Sequence, residues 1–261
     1  MDKFLTLINQ YKSLGILESI NYGIMNDALI SHHSTAIEGS SLTEIESRLL
    51  ITEGITAKGK PITDQNMVLD HHEALEWVIG QSKLKRDITP HLIQEIAAHV
   101  MRRTGSIVNT AGGSYDISKG DWRKSNVFVG ERYFMSPDKI EREVIKLCNK
   151  FAPLNRNITD TVEIYSLAFD VHYALVSIHP FGDGNGRTSR LLMNYVLSYH
   201  NEPLANIFKE DKLEYYTALE MGRTEDGLDY QPIRDFMFAQ QEKYLSDEIR
   251  KFQQKDQIID I

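Results

Sequence analysis

One stretch of twelve residues, 179–190, combines groups that could do chemistry on a phosphate. It reads His-Pro-Phe-Gly-Asp-Gly-Asn-Gly-Arg-Thr-Ser-Arg. Gly182, Gly184 and Gly186 allow consecutive backbone N–H groups to turn onto one anion, because glycine has no Cβ and accepts positive φ. The apolar pattern of residues 188–197 predicts a helix after the loop, whose N-terminus adds free donors and a positive dipole. The stretch is typical of a nucleotide phosphate site.

The charged and polar side chains of this stretch have distinct uses at such a site. Arg187 and Arg190 lie three residues apart on the predicted first turn, so both can grip phosphates on the same side. Asp183 supplies a hard oxygen for Mg²⁺, and Asn185 can donate to a phosphate oxygen that gains charge in the transition state. At the other end of the loop, His179 can take a proton from an attacking hydroxyl near neutral pH.

Residues 179–190 resemble the complete motif of the Fic family, His-x-Phe-x-Asp-Gly-Asn-Gly-Arg-x-x-Arg, with every fixed position present. The resemblance implies a mainly α fold, a Fic-type helical core with a small β-hairpin flap. It implies the transfer of AMP from MgATP to a Ser, Thr or Tyr hydroxyl of a target protein. The implied roles are general base for His179, Mg²⁺ ligand for Asp183, α-phosphate contact for Asn185 and the loop amides, β-phosphate contact for Arg187, γ-phosphate contact for Arg190, and apolar anchor for Phe181.

A second motif lies upstream of this loop. Ser34-x-x-x-Glu38-Gly39 resembles the inhibitory motif of Fic proteins that carry their inhibitory helix ahead of the core. We expect a helix that ends near Gly39 and a new helix that a capping box opens at Thr43. The resemblance implies that Glu38 reaches Arg190 and fills the space of a productive γ-phosphate. A carboxylate and a phosphate would then compete for one guanidinium fork.

A short hairpin is predicted over residues 127–135, and we expect it to be the chain's only β-structure, with residues 112–114 in a loop. In Fic proteins this position is the flap, whose edge aligns the target segment through backbone hydrogen bonds. The residues implied to hold the acceptor chain over the base are Ser125, Asn126, Val127 and Phe128.

The pocket for the nucleotide base is less well defined by the sequence. Residues 213–219 resemble the Tyr-Tyr segment that the family places near the adenine pocket. Tyr216 could stack on a purine there, or both tyrosines could be core residues of an amphipathic helix. Where related proteins often have an asparagine, this chain has Arg223-Thr224-Glu225-Asp226, which leaves the base specificity open.

Composition and charge narrow the class of protein. The chain has 261 residues, of which 41% are hydrophobic and 25% charged, as in an ordinary globular protein. Its net charge of −8 argues against a broad nucleic-acid surface, and its single cysteine rules out an internal disulfide. No stretch reaches the roughly 18 apolar residues of a membrane span, and no signal-peptide pattern opens the chain. We therefore expect a cytoplasmic protein without nucleic-acid or membrane partners.

We expect three regions along the chain. Residues 1–86 form an N-terminal helical region with the inhibitory motif, residues 87–200 the core with the flap and the catalytic loop, and residues 201–261 a helical region that completes the nucleotide pocket. Helices are predicted over residues 137–151 and 161–178, and the second delivers the base to the loop. The histidine pairs at 32–33 and 71–72 are interpreted as surface or packing residues, because neighbouring side chains on a helix diverge by ~100°.

The sequence predicts an autoinhibited protein adenylyltransferase that uses MgATP, with His179 as base and Glu38 as brake. Two alternatives stay open. Glu38 could position a water molecule, so that the protein removes AMP from a modified target. The chain could also be a non-catalytic regulator that binds nucleotide. The target protein is not identified by the sequence, and self-modification and a homodimer are left open.

Overall fold

The computed structural model of the chain describes residues 1–16, 20–129 and 132–259, and it confirms the mainly α prediction. The helices are α1 (Asp2–Ser13), α2 (Ile20–Ile37), α3 (Glu44–Glu53), α4 (Ile62–Lys83), α5 (Pro90–Val100), α6 (Pro137–Asn157), α7 (Thr161–Ile178), α8 (Asn185–Tyr199), α9 (Lys212–Met221) and α10 (Gln231–Ile259), with 3₁₀ turns at Ile117–Lys119 and Lys209–Asp211. Within the described ranges, no helix combines the length and the apolar character that crossing a membrane requires.

Local sequence signals set the ends of several helices. Thr43 begins α3 with a capping box, in which its hydroxyl accepts from the Glu46 N–H at 3.2 Å and its own N–H donates to the Glu46 carboxylate at 2.7 Å. The Thr89 hydroxyl caps α5 in the same way at its first turn. α2 ends at Ile37, and Gly39 follows with a φ of +106°. The boundaries predicted at Thr43 and Gly39 are thereby confirmed.

Two helices extend beyond their predicted bounds. α6 was expected to end at residue 151 but continues to Asn157. Its last turn is held by a tertiary contact that no local pattern reveals, since the buried Asn155 Oδ1 lies 3.1 Å from His200 Nε2. α8 begins at Asn185 rather than at residue 188, because Gly184 adopts a φ of +77° and turns the chain directly into the helix.

α7 is the central helix of the core. Almost every residue from Ile164 to Ile178 is buried, which is typical of a helix that other helices cover on all sides. α1 and α10 pack on it through aromatic rings, with Phe4 edge-on to Tyr165 at 4.9 Å and Phe238 edge-on to Phe169 at 5.1 Å between ring centroids. The three regions expected from the sequence therefore contribute to one continuous hydrophobic core.

The described residues contain three antiparallel hairpins, not one. They are β1 (Ile107–Thr110) with β2 (Gly113–Asp116), β3 (Phe128–Val129) with β4 (Arg132–Tyr133), and β5 (Arg223–Thr224) with β6 (Gly227–Leu228). The hairpin predicted over residues 127–135 is present. The expectation that it is the only β-structure is wrong, and residues 113–114 begin a strand instead of lying in a loop. Gly113, with a φ of +107°, closes the tight turn that pairs β1 with β2.

Candidate active site

The loop between α7 and α8 is a rigid turn with positive φ at both ends. His179 follows α7 with a φ of +54°, and Gly184 precedes α8 with a φ of +77°. A Cβ at position 184 would lie 2.8 Å from the sulfur of Met101, so space and backbone conformation both demand glycine. The Asn185 side chain closes the loop, since its Oδ1 accepts from Phe181 N and its Nδ2 donates to Phe181 O, both at 2.9 Å.

Asn185 makes a contact within the loop that the sequence did not predict. Its buried side chain uses both polar atoms of its amide to hold the loop, and the donation to a phosphate stays a prediction. The first helical hydrogen bond of α8 runs from Thr188 N to Gly184 O at 2.9 Å. The backbone N–H groups of residues 185–187 precede that bond and point out of the helix end, where they form the anion site that a helix N-terminus provides.

Phe181 and Gly182 are held by aromatic residues from outside the loop. Phe181 is buried, and its ring centroid lies 5.0 Å from that of Trp122. Gly182 lies against Tyr115 of β2. A Cβ at this position would be only 2.9 Å from the tyrosine ring. The loop thus rests on residues that precede the flap in the chain.

Arg190 joins α8 to α2, the helix that carries the upstream motif. Its Nε donates to Ser34 Oγ at 2.8 Å, and its Nη2 donates to Ser34 O at 2.8 Å and to Glu38 Oε1 at 2.6 Å. The remaining nitrogen, Nη1, lies beside Gly186 in the first turn of α8. Glu38 therefore meets Arg190 as the sequence resemblance implies, and Ser34 contacts the same guanidinium.

The Glu38 carboxylate lies over the N-terminus of α8. A Cβ at Gly186 would collide with Glu38 Oε1, and the Glu38 side chain remains 28% exposed, so a ligand can reach it. Burial alone would raise the pKa of Glu38, but the charge and the hydrogen bond of Arg190, with the charge of Arg187, lower it below the ordinary value. Glu38 is therefore ionised at neutral pH and occupies the anion site.

The imidazole of His179 stacks on Phe134, with 3.9 Å between ring centroids and 24° between planes. Burial lowers the pKa of His179 to about 4, and the positive charges of Arg123 and Arg132 act in the same direction, while Glu38 opposes them. The ring is neutral at pH 7, which is the form that accepts a proton.

Arg187 lies beneath the loop with donors to spare. It is buried, its Nη2 lies 3.3 Å from Met101 Sδ and 3.4 Å from Asp183 Oδ1, and its Nε and Nη1 have no hydrogen-bond partner in the described part of the chain. Buried donors are seldom left unpaired in proteins. A phosphate oxygen would satisfy them.

Asp183 fits a metal ion that protein and nucleotide hold together. Its side chain is 66% exposed, and its Oδ1 accepts from the backbone N–H of Gly184 at 2.5 Å. Residues 1–16, 20–129 and 132–259 contain no cluster of three acidic, histidine or cysteine ligands. Mg²⁺ usually takes one or two carboxylates and completes its shell with water and phosphate, so one exposed carboxylate suits it.

A cavity of about 640 Å³ opens beside His179 and Glu38, within the usual size range of small-molecule sites. Its far wall comes largely from α9, with Tyr216 as an aromatic surface that is 40% exposed. The neighbouring Tyr215 is buried and bonds His172 at 3.0 Å. Of the two tyrosines, Tyr216 is therefore the one available to a base. The remaining cavity-lining residues are Arg132, Phe134, Val176, Gly186, Arg190, Leu219, Glu220 and Arg223.

The flap lies next to the base. The flap residue Phe134 covers His179, and its backbone N–H donates to Val127 O at 3.0 Å, which closes the hairpin. Ser125 and Asn126 precede β3, and the Phe128 side chain is 64% exposed. Val127 is thus bonded to the residue that covers His179, Ser125 accepts from Arg123, which also holds the catalytic loop, and Phe128 faces solvent.

Three further charged residues line or support the site, of which Arg123 and Arg132 were missed by sequence reasoning. Arg132 of the flap donates to Glu220 at 2.6 Å, and Arg223 lies on the other side of the same carboxylate at 3.8 Å. Arg123 is buried between the catalytic loop and the flap. Arg132 and Arg123 contact residues distant in the chain, so no spacing rule could have found them, whereas Arg223 lies only three residues from Glu220.

The histidines of α2 and α4 fix the upstream motif in place. His33 Nδ1 accepts from Lys209 N at 3.2 Å, His32 Nδ1 lies 3.1 Å from Ser47 Oγ, and His71 Nδ1 lies 3.1 Å from Ser31 Oγ. All three rings are buried, so they are packing residues rather than surface residues. They anchor α2, and with it Glu38.

Comparison with known proteins places the site in a family. Residues 87–197 match the model of the Fic/DOC family. The protein adenylyltransferase Fic of Nematostella vectensis is 32% identical over 196 residues, which cover 75% of this chain and 43% of that protein. The protein of the same name from Drosophila melanogaster is also 32% identical, over 75% of this chain and 37% of its own length. The chain thus spans less than half the length of these curated relatives.

The fold agrees with this match. A Fic domain containing signaling protein from Bacteroides thetaiotaomicron superposes with a TM-score of 0.79 at 24% identity, over 96% of this chain and 98% of that chain. The family match includes the whole catalytic loop and the flap described above. This chain therefore contains a Fic domain, which the family match places at residues 87–197.

Proposed function

We propose that the chain is an autoinhibited protein adenylyltransferase, which moves AMP from ATP to a Ser, Thr or Tyr hydroxyl of a target protein. The observation that carries the proposal is that a neutral His179 and the N-terminus of α8 open onto one cavity of about 640 Å³. The relatives named protein adenylyltransferase Fic support the same activity.

The nucleotide has a defined place in this proposal. Its phosphates bind the N–H groups of residues 185–187, where the α8 dipole favours negative charge. Below the loop, two nitrogens of Arg187 without hydrogen-bond partners can donate to a phosphate. The Arg190 guanidinium can bind another phosphate once Glu38 is displaced. The base lies in the wider part of the cavity, against Tyr216.

The transfer step needs a base on one side of the α-phosphate and charge stabilisation on the other. His179 takes the proton of the acceptor hydroxyl while the hydroxyl oxygen bonds to the α-phosphorus. The bond from that phosphorus to the bridging oxygen breaks, and pyrophosphate leaves with the electron pair. Arg187 and the α8 N-terminus hold the oxygens that gain charge. The proton remains on His179 until product release.

Asp183 is the residue that would hold Mg²⁺, together with the phosphates. Its exposed carboxylate next to Arg187 fits that use. When bound, the ion would neutralise charge on the phosphates and on the leaving pyrophosphate.

Autoinhibition follows from competition for Arg190. One edge of the Arg190 guanidinium donates hydrogen bonds to Ser34 and Glu38, and the Glu38 carboxylate is ionised. A γ-phosphate that approaches this edge meets a like charge and finds its donors occupied. ATP then binds with its phosphates displaced from the line of attack, so transfer is slow until Glu38 moves.

Removal of AMP is the second candidate, because the partly exposed Glu38 carboxylate faces the same cavity as His179. A carboxylate in that place can orient a water molecule toward a phosphorus atom. In that case Glu38 is required for turnover, whereas in the leading proposal it suppresses turnover.

Intact-mass spectrometry after incubation with MgATP tests the proposal. The proteins are wild type, Glu38→Gly and Glu38→Gly/His179→Ala, with Glu53→Gly as a control that removes an exposed carboxylate at the end of α3. We expect an AMP-sized addition on Glu38→Gly alone. Loss of AMP from a pre-modified sample in wild type, abolished by Glu38→Gly, would replace transfer with removal as the main activity.

A further inference from the structure

The Arg123 side chain is a buried cation whose donors all go to backbone carbonyls. It is 1% exposed. Its Nε donates to His179 O at 2.8 Å, its Nη1 to Ser125 O at 2.7 Å, and its Nη2 to Met135 O at 2.5 Å. Its own backbone N–H donates to Pro180 O at 3.0 Å. One residue thus ties the catalytic loop to both stems of the flap.

The charge of Arg123 has no acidic partner among the described residues. Burial lowers the pKa of Arg123, and Tyr115 is the group that opposes this effect. A buried cation without a carboxylate costs stability, and an apolar side chain of similar size would pack at lower cost. The residue is therefore explained by the geometry of its fork, which reaches three carbonyls at once, and not by packing.

Other contacts fix the same segment to the loop. The Trp122 ring lies 5.0 Å from that of Phe181, between centroids. The Tyr115 hydroxyl lies 3.2 Å from Ser125 Oγ, and the Tyr115 ring backs the loop at Gly182. The first stem of the flap is thus attached to the catalytic loop before the hairpin begins.

The second stem of the flap controls the ring that covers the base. Phe134 stacks on His179 at 3.9 Å, and the next residue, Met135, presents the carbonyl that Arg123 holds. We propose that Arg123 is a positioning residue, which fixes the position of the flap edge relative to the His179 imidazole. The inference rests on the proposed function, in which the flap edge aligns the acceptor and His179 takes its proton.

The first test does not depend on activity. Histidine NMR titration and amide hydrogen exchange are measured for wild type, Arg123→Gln and Arg123→Lys, with Lys124→Gln as a control that removes the exposed cation next in sequence. The charged groups that act on His179 are Arg123, Arg132 and Glu38. We expect Arg123→Gln to raise the pKa of His179 from about 4 and to speed exchange at the flap amides.

The same titration contains an internal reference. His172 is buried on α7 and bonds Tyr215, and its pKa of about 3 should not change in either variant. A shift of both histidines would indicate general loosening of the fold. Arg123→Lys keeps the cation and can donate to fewer carbonyls, so it should hold the His179 pKa near the wild-type value while flap exchange still speeds up.

The second test uses the Glu38→Gly background and MgATP. We expect Arg123→Gln to lower the single-turnover rate of AMP transfer by about tenfold to a hundredfold, because small displacements from the attack geometry are costly. The affinity for MgATP should stay within about a factor of two, since each nitrogen of the buried Arg123 guanidinium already has a backbone carbonyl as its partner. Arg123→Lys should recover part of the rate.

The outcomes separate this inference from the proposed function. If Glu38→Gly transfers no AMP but Arg123→Gln shifts the His179 pKa and flap exchange, the proposed function is wrong and the positioning role stands. If the His179 pKa, flap exchange and transfer rate are all unchanged in folded Arg123 variants, the positioning role is overturned. A parallel loss of nucleotide affinity and melting temperature would also overturn it, in favour of a purely structural role.

Discussion

Glu38 Oε1 and Arg190 Nη2 lie 2.6 Å apart, although 152 residues separate them in the chain. This contact joins the helix of the upstream motif to the helix that begins at the phosphate site. Because Glu38 also covers Gly186, one side chain blocks both the arginine fork and the helix N-terminus. The proposed autoinhibition depends on this pair of residues.

Removal of the Glu38 carboxylate should destabilise the free protein and increase its response to nucleotide. In Glu38→Gly the buried Arg190 keeps only its bonds to Ser34, which should lower the free energy of unfolding by about 1–3 kcal/mol. MgATP should then raise the melting temperature more in Glu38→Gly than in wild type, because a phosphate replaces the carboxylate. Differential scanning fluorimetry with and without MgATP measures both effects. An equal shift in the two proteins would contradict competition for Arg190.

Two glycines should respond to alanine in opposite directions. Gly184→Ala places a Cβ at a φ of +77° and 2.8 Å from Met101 Sδ, so it should lower the free energy of unfolding by about 1–3 kcal/mol. Gly80→Ala adds a Cβ to open space on α4 and should raise stability by up to about 1 kcal/mol. Urea unfolding of both variants checks the pair. Equal effects would mean that the loop is not held in the positive-φ turn.

The two hydrogen bonds between the Asn185 side chain and the Phe181 backbone should be important for stability as well as for catalysis. Asn185→Ala removes both bonds to Phe181 and leaves the buried Phe181 N–H without its acceptor, at a cost of about 1–3 kcal/mol. Asn185→Asp keeps an acceptor but loses the donor, so it should fall between wild type and alanine. Unfolding curves order the three proteins. A stable Asn185→Ala with weakened ATP binding would instead favour a direct phosphate contact.

The buried histidines predict that stability falls as the solution becomes acidic. Burial lowers the pKa from 6.5 to about 4 for His32 and His179 and to about 3 for His33. Between these pKa values the unfolded chain therefore binds more protons than the folded chain. Stability should therefore be lost as pH falls from 6.5 toward 4, by about 1.4 kcal/mol per pH unit for each histidine. Asp27, whose pKa burial raises to about 7, acts in the opposite direction.

Urea unfolding over that pH range measures the slope. His33→Asn keeps an acceptor for Lys209 N and removes one titrating group, so its slope should be shallower than that of wild type. His91→Asn changes an exposed ring and should leave the slope unchanged. Equal slopes of stability against pH for wild type and both variants would contradict a contribution of His33 to the loss of stability in acid.

Local patterns predicted the parts of the molecule that local interactions determine. The capping box at Thr43, the helix that ends at Ile178 and the glycine-rich loop all depend on residues a few positions apart. The contact between Glu38 and Arg190 was predicted only because the short motif resembles a known family, since no periodicity links residues 152 apart.

Contacts that neither a local pattern nor the family resemblance indicates were not predicted. The clamp role of Asn185 was missed because an amide side chain can serve a phosphate or its own loop equally well, and only the folded geometry decides. Arg123 was missed because its acceptors are backbone carbonyls, which leave no trace in the sequence. The β1–β2 hairpin was missed because its glycine turn was interpreted as a loop.

Transfer of label from ATP to protein tests the central claim most directly. Glu38→Gly and Glu38→Gly/His179→Ala are incubated with Mg²⁺ and ATP labelled at either the α- or the γ-phosphate, alone and with added cell protein. We predict that Glu38→Gly transfers the α label and not the γ label, and that the double variant transfers neither. Transfer of the γ label, or equal transfer of the α label by the double variant, would contradict an adenylyltransferase with His179 as its base.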